Sequence, residues 1–173
     1  MLIRGATSAD ADGIAEVHVR SWQAAYRGLM PQHVLDGLSV AERAAGWARI
    51  LAETPRRTLV AVDGERVVGW ASFGDARDAD AGEPDSRGGT GELWGIYAHP
   101  NAWSTGVGHL LLTAVERELG DAGHETAYLW VLDGNERAST FYERHGWHAD
   151  GGMKIDRRPG LELRELRHVT RLH

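Results

Sequence analysis

Over residues 92–132 the sequence changes its hydrophobic rhythm twice, and no other stretch restricts the fold so tightly. Residues 92–98, Glu-Leu-Trp-Gly-Ile-Tyr-Ala, read as a strand, with Gly95 a place for a bulge or a close backbone approach. Val107, Leu110, Leu111, Ala114, Val115 and Leu119 then recur at the i, i+3, i+4, i+7, i+8 spacing of one helix face. The next apolar run, Thr-Ala-Tyr-Leu-Trp-Val-Leu over 126–132, is nearly continuous, as in a strand covered on both faces. Strand, helix and strand in this order imply a parallel pair joined by a right-handed crossover, central to a sheet.

The flanking sequence adds antiparallel strands. Residues 57–62 and 66–73 are rich in β-branched and aromatic residues around Asp63-Gly64, a strong hairpin signal. A strand is also expected at 2–6. Oxygen side chains at residues 7–10 suit the cap of a helix carrying Ile14, Val17, Trp22 and Tyr26. Pro31 starts another helical piece through Leu38, and Ser39 caps a third helix with Ala44, Trp47, Ile50 and Leu51. Asp133-Gly134-Asn135 leads into a short helix ended by Gly146, and strands follow at 147–154 and 161–169. The predicted fold is α/β: a mixed, mostly antiparallel sheet of about seven strands with a central parallel pair and flanking helices, in one domain over 1–173.

Gly106 and Gly108 stand where the strand hands over to the long helix. The first N–H groups of a helix lack intrahelical partners, and the macrodipole places partial positive charge there. Such a turn can cradle phosphate, and glycine lets the ligand reach the backbone. It is neither a nucleotide P-loop, which needs a Lys after the second glycine, nor a dinucleotide fingerprint, because Leu111 occupies the third small position.

Charge and composition narrow the partners. A formal net charge of −6 and no sustained Lys/Arg run argue against nucleic acid. No apolar run approaches the ~20 residues of a membrane span. Cysteine is absent, so disulfides, cysteine metal sites and cysteine nucleophiles are excluded, and cytoplasmic residence is permitted. Nine histidines include His145 and His148 but no His-Glu-x-x-His, so no metal is expected. No Gly-x-Ser-x-Gly elbow is present either. Residues 74–91 collapse into Gly, Asp, Ala and Ser, with Asp75, Asp78, Asp80, Glu83 and Asp85 against Arg77 and Arg87. This acidic loop reads as either a solvated connection or a substrate-facing lid.

A second constellation, Asn135, Ala138, Phe141, Tyr142, Gly146 and Trp147, follows the buried strand. Together with Ile96-Tyr97-Ala98-His99-Pro100 running into Gly106-Val107-Gly108, it closely resembles the GNAT superfamily of acyl-CoA-dependent N-acetyltransferases. The resemblance is strongest over about 91–147. One departure stands out: Trp103 occupies the position where the family usually carries Gln or Arg, followed by Ser104 and Thr105.

The resemblance implies acetyl-CoA as cosubstrate, no metal, and direct attack of an amine on the thioester. Cofactor contacts then fall to Ile96, Tyr97, Ala98, Trp103, Ser104, Thr105, Gly106, Val107, Gly108, His109 and Asn135. Asn135 can equally cap its helix. Tyr142 is the general-acid candidate or a core aromatic, and Glu92 either takes the amine's proton, directly or through water, or is a solvated strand-end residue. Trp22, Tyr26 and Arg27, with the acidic loop, are expected to receive the acceptor, a small cationic amine. A peptide N-terminus is the alternative acceptor, and a non-catalytic acyl-CoA sensor is the alternative function. The last two strands offer an edge for a homodimer.

Overall fold

The computed structural model describes residues 1–54, 57–78, 89–158 and 160–172. Seven strands form one sheet: β1 (Leu2–Gly5), β2 (Thr58–Asp63), β3 (Arg66–Asp75), β4 (Thr90–Ala98), β5 (Thr126–Leu132), β6 (His148–Arg158) and β7 (Leu161–Arg171), ordered β1-β2-β3-β4-β5-β7-β6. The helices are α1 (Ala11–Ala25), α2 (Gln32–Asp36), α3 (Val40–Glu53), α4 (Val107–Asp121) and α5 (Glu136–Arg144). The pair β4–β5 is parallel, whereas β1–β2, β2–β3, β5–β7 and β6–β7 are antiparallel. The mixed sheet with a central parallel pair is as the sequence predicts.

The chain divides into two compact units, and both β4 and α4 contribute residues to each. The first contains Met1–Phe73 and Gly95–Val115. Its core joins Ile14, Ala15 and Val17 of α1 with Trp47 and Leu51 of α3 and with Val60, Val62 and Trp70 of the hairpin strands. The Ser39 hydroxyl caps α3 by accepting the Glu42 N–H at 3.3 Å. At the other helix entry, Asp10 is buried in a 3-10 turn and accepts both Arg4 guanidinium nitrogens at 2.7 and 2.8 Å. The Thr7 N–H adds a third bond at 2.7 Å. Those bonds, led by Arg4, pull the Asp10 carboxyl down to about 2.

Glycine at position 69 is demanded by packing. A Cβ there would lie 2.7 Å from Val107 Cγ1 and 3.1 Å from the Tyr97 carbonyl, so β3 lets the first turn of α4 sit directly upon it.

The second unit contains Gly74–Trp94 and Glu116–His173. The β4–β5 register runs from Thr90↔Thr126 to Leu93↔Leu129 and stops there, while β5 continues beside β7 to Leu132↔Glu165. Tyr128, Leu129 and Trp147 are fully buried, and the Trp147 indole donates to Glu116 at 2.7 Å. The strand expected at 147–154 extends to Arg158, because pairing with β7 carries the polar residues beyond Lys154.

Candidate active site

In the first unit, β4 ends next to the glycine turn. A Cβ on Gly95 would meet the Tyr97 ring at 3.2 Å and the Trp70 ring at 3.5 Å, so this glycine marks a close approach. The His99 N–H donates to the Val68 carbonyl at 2.8 Å. Main-chain groups alternate sides along a strand, so Tyr97 shares that side, and Ile96 and Ala98 present theirs to the opposite edge. The sequence treats the three alike; the register separates Tyr97 from the other two.

The turn itself is exposed from Ser104 to Gly106. Ser104 has φ 62° and Gly106 φ 93°, two left-handed residues flanking Thr105. Successive N–H groups in such a turn converge on a concavity suited to an anion. The Leu110 N–H donates to the Gly106 carbonyl at 3.0 Å, which puts Val107, Gly108 and His109 in the first helical turn. That turn carries no acidic side chain. Thr105 gives its hydroxyl hydrogen to the Ala102 carbonyl at 2.8 Å, so its N–H and not its hydroxyl is the donor available to a phosphate. The Trp103 indole donates to the Ala98 carbonyl at 2.9 Å and covers the strand end. An exposed main-chain cradle without a carboxylate fits a diphosphate.

The same unit holds an aromatic cluster on α1. Trp22 and Tyr26 meet edge to face at 5.2 Å, and the Tyr26 and Tyr97 hydroxyls are 3.0 Å apart. Arg27, grouped with them on sequence, is exposed in the turn after α1. His18 belongs to this cluster and carried no role in the sequence reading. Its spacing from Trp22 and Tyr26, i, i+4 and i+8, is the signal that places the three on one helix face.

In the second unit, Glu92 is only 1% exposed and is the hub of a polar network, not a solvated strand-end residue. Its Oε1 accepts Arg77 Nη2 at 2.6 Å. Its Oε2 accepts the Arg77 main-chain N–H and Nε at 3.0 Å and the Tyr128 hydroxyl at 2.8 Å. The Tyr128 oxygen in turn accepts the N–H groups of Arg77 and Asp78 at 3.1 and 3.2 Å. Burial pushes the Tyr128 hydroxyl well above its ordinary range, with the Glu92 carboxylate acting in the same direction. The carboxylate also raises the Arg77 guanidinium. Asp78 is fixed by the Trp130 indole at 2.8 Å, and Lys154 lies 4.4 Å from the centre of the Trp130 ring. Asp80, Glu83, Asp85 and Arg87 of the acidic loop fall outside the described residues.

Tyr142 is buried on α5, with the Trp147 and His168 rings 6.1 and 6.2 Å away. Asn135 caps α5, its Oδ1 accepting the Ala138 N–H at 3.2 Å. Among the described residues no His, Asp or Glu group has the arrangement to hold a metal ion, and no helix is long and apolar enough to cross a membrane.

The chain belongs to the acetyltransferase (GNAT) family, whose model matches residues 19–147. It is 30% identical to the uncharacterized N-acetyltransferase YuaI of Bacillus subtilis (strain 168) over 167 residues, covering 95% of this chain and 89% of that one. Its fold is shared with yncA of Salmonella typhimurium, solved with its cofactor acetyl-CoA, at TM-score 0.69 and 22% identity over 100% of this chain and 94% of that one. It is shared also with the PaiA N-acetyltransferase of Thermoplasma acidophilum in complex with coenzyme A, at TM-score 0.67 and 18% identity over 98% of each chain.

Proposed function

We propose that this enzyme moves the acetyl group of acetyl-CoA to the primary amine of a small molecule that arrives as an ammonium cation. The observation that carries the reading is the turn from Ser104 to His109, exposed over Ser104 to Gly106, with two left-handed residues opening onto the first turn of α4. Coenzyme A and acetyl-CoA in the Thermoplasma and Salmonella proteins of the same fold support this donor.

Each step asks for a group, and the chain offers one for each step except removal of the amine's proton. The diphosphate takes the N–H groups of the turn, with Asn135 and Trp103 as further cofactor contacts. Ile96 and Ala98 offer main-chain donors to the pantetheine chain and to the thioester oxygen, where negative charge develops during attack. The amine nitrogen forms the new C–N bond as the C–S bond breaks. The departing thiolate takes the Tyr142 proton. By ordinary values of about 10 for the phenol and about 8.5 for the thiol, that transfer alone runs uphill. It is drawn forward because the nitrogen of the tetrahedral adduct gives its second proton to the Tyr142 phenolate as the amide forms. The ammonium gives its first proton to water before attack, so that a neutral amine meets the thioester. Glu92 is assigned to holding Arg77 and Tyr128, because both its oxygens are already engaged.

The acceptor is assigned to Trp22, Tyr26 and the Tyr97 ring, whose half-buried faces attract cations. A net charge of −6 favours the same substrates. The reading takes 1–173 as one working domain in the cytoplasm, supported by a chain without cysteine. Met153 and Ile155, exposed on β6, support pairing with a second copy.

The test is a thiol-release screen with acetyl-CoA against monoamines, polyamines, aminoglycosides and peptides. Turnover with small amines is expected. Coenzyme A binding without thiol release from any acceptor would contradict the reading.

A further inference from the structure

His18 is 9% exposed and sits at the centre of four aromatic rings, all within the first unit. The Trp22, Trp70, Tyr97 and Trp47 centroids lie 5.2, 5.3, 5.8 and 6.2 Å from its own. Tyr97 is stacked nearly parallel, at 6°. His18, Trp47 and Trp70 make a buried floor, and Trp22, Tyr26 and Tyr97 a half-buried rim.

The hydrogen-bond pattern of this imidazole is one-sided. Its Nδ1 lies 3.3 Å from the Trp47 indole nitrogen, which has only a hydrogen to give. Nδ1 is therefore the acceptor, and the ring hydrogen is carried by Nε2. Burial, with the nearby Arg43 charge, lowers the imidazole to about 4, so it is neutral at physiological pH. Nε2 has no acceptor among the described residues. The Trp70 indole nitrogen, in the ring next to it, has none among them either. A buried donor left without an acceptor costs about 1–3 kcal/mol. The cluster therefore keeps two N–H groups that gain most from an oxygen.

We infer that the His18 Nε2–H reads the acyl acceptor, and that this acceptor is a primary amine with an aromatic or apolar body and a hydrogen-bond-accepting oxygen. The inference rests on the transferase reading above. It selects within small amines by donor–acceptor logic. A protonated polyamine offers only N–H donors, so it leaves Nε2–H unpaired. Its second charge also meets Arg43, which already lies 5.6 Å from the centre of the Trp22 ring. An amide, alcohol or ether oxygen beside a ring satisfies the donor and fills the rim. His18 thus acts on specificity, through a contact with the acceptor remote from the reacting nitrogen.

The experiment compares phenylalaninamide with phenethylamine, which lacks the carboxamide, in wild type, His18→Phe and His18→Gln. Differences in amine basicity cancel in the ratio of ratios. Wild type should favour phenylalaninamide in kcat/KM by about tenfold or more, the size expected when a site's polar group would otherwise go unpaired. His18→Phe should erase that preference, with the loss appearing in KM for phenylalaninamide. His18→Gln, which retains a side-chain N–H, should restore most of it.

An unchanged preference in His18→Phe overturns the inference. Should that variant fail to fold, the wild-type His18 Nε2–H resonance decides. It should shift with phenylalaninamide and not with phenethylamine, and equal responses overturn the proposal. Wild type that releases no thiol with any amine defeats the transferase reading instead, and the resonance still reports on His18 alone.

Discussion

Arg77 Nη2 lies 2.6 Å from Glu92 Oε1, and this ion pair joins an arginine that is mostly exposed to a carboxylate that is fully buried. Fifteen residues apart in sequence, the two are locked at three further points by the Arg77 main chain, its Nε and the Tyr128 hydroxyl. Removing one partner of such a group leaves buried polar atoms uncompensated. Glu92→Gln and Arg77→Ala should each destabilise the fold by about 2–4 kcal/mol in urea denaturation. If Glu92 holds its neighbours in place and is not the base, Glu92→Gln lowers kcat but keeps the acid limb of the kcat/KM profile. Loss of that limb would restore Glu92 as the base.

Tyr142→Phe keeps the buried ring and removes only the hydroxyl. The expected outcome is a fall in kcat of about 10²-fold or more, the usual scale for a general acid, with acetyl-CoA affinity unchanged by calorimetry. A matching loss of affinity with kcat preserved would make Tyr142 a packing residue.

Two buried groups define separate acid windows. His18 titrates near 4 when folded, below its unfolded value of about 6.5, so the unfolded chain binds its proton more readily. Its stabilisation is whole above the unfolded value, declines as pH falls toward 4, and amounts to roughly 3 kcal/mol. Asp10, held near 2 by Arg4, contributes stability that is whole above its unfolded value of about 3.9 and is lost as pH falls through 2. That loss is roughly 1–2 kcal/mol, since Arg4 is partly exposed and its attraction is screened. Denaturation midpoints for wild type and His18→Phe at neutral pH and about pH 4.5 separate the two, because only wild type should lose stability between them.

Gly69→Ala tests the seat of α4. The new methyl would stand 2.7 Å from Val107 Cγ1 and 3.1 Å from the rigid Tyr97 carbonyl, so strand or helix must move. A loss of about 1–3 kcal/mol is expected from urea curves, with weaker coenzyme A binding because Val107 opens the helix.

Much of this architecture could be read from local pattern. The run at 126–132 matches β5 at both ends, the Ser39 cap is in place, and the periodic face of α4 buries Val107, Leu111, Ala114, Val115 and Leu119 as predicted, whereas Leu110 is exposed and Leu112 is buried instead. These signals are carried by neighbours three, four or two residues apart, the spacings that helices and strands impose. The Arg77–Glu92–Tyr128 network was hidden, because its members come from three separated segments and Arg77 looked like one cation in an acidic loop. The far half of β6 was hidden for another reason. Asp156, Arg157 and Arg158 are strand residues only because β7 pairs with them. His18 was visible in its helix but not in its function, since Trp47 and Trp70 reach it from other elements.

The most direct measurement is a calorimetric titration of acetyl-CoA into wild type and into Gly106→Ala, a position whose φ of 93° a side chain rarely adopts. Saturable binding to wild type with Kd below about 1 mM, weakened about tenfold or more in Gly106→Ala, is the predicted result. No heat of association for wild type at millimolar acetyl-CoA, or equal affinity in the two proteins, would contradict the assignment of the cofactor to this turn.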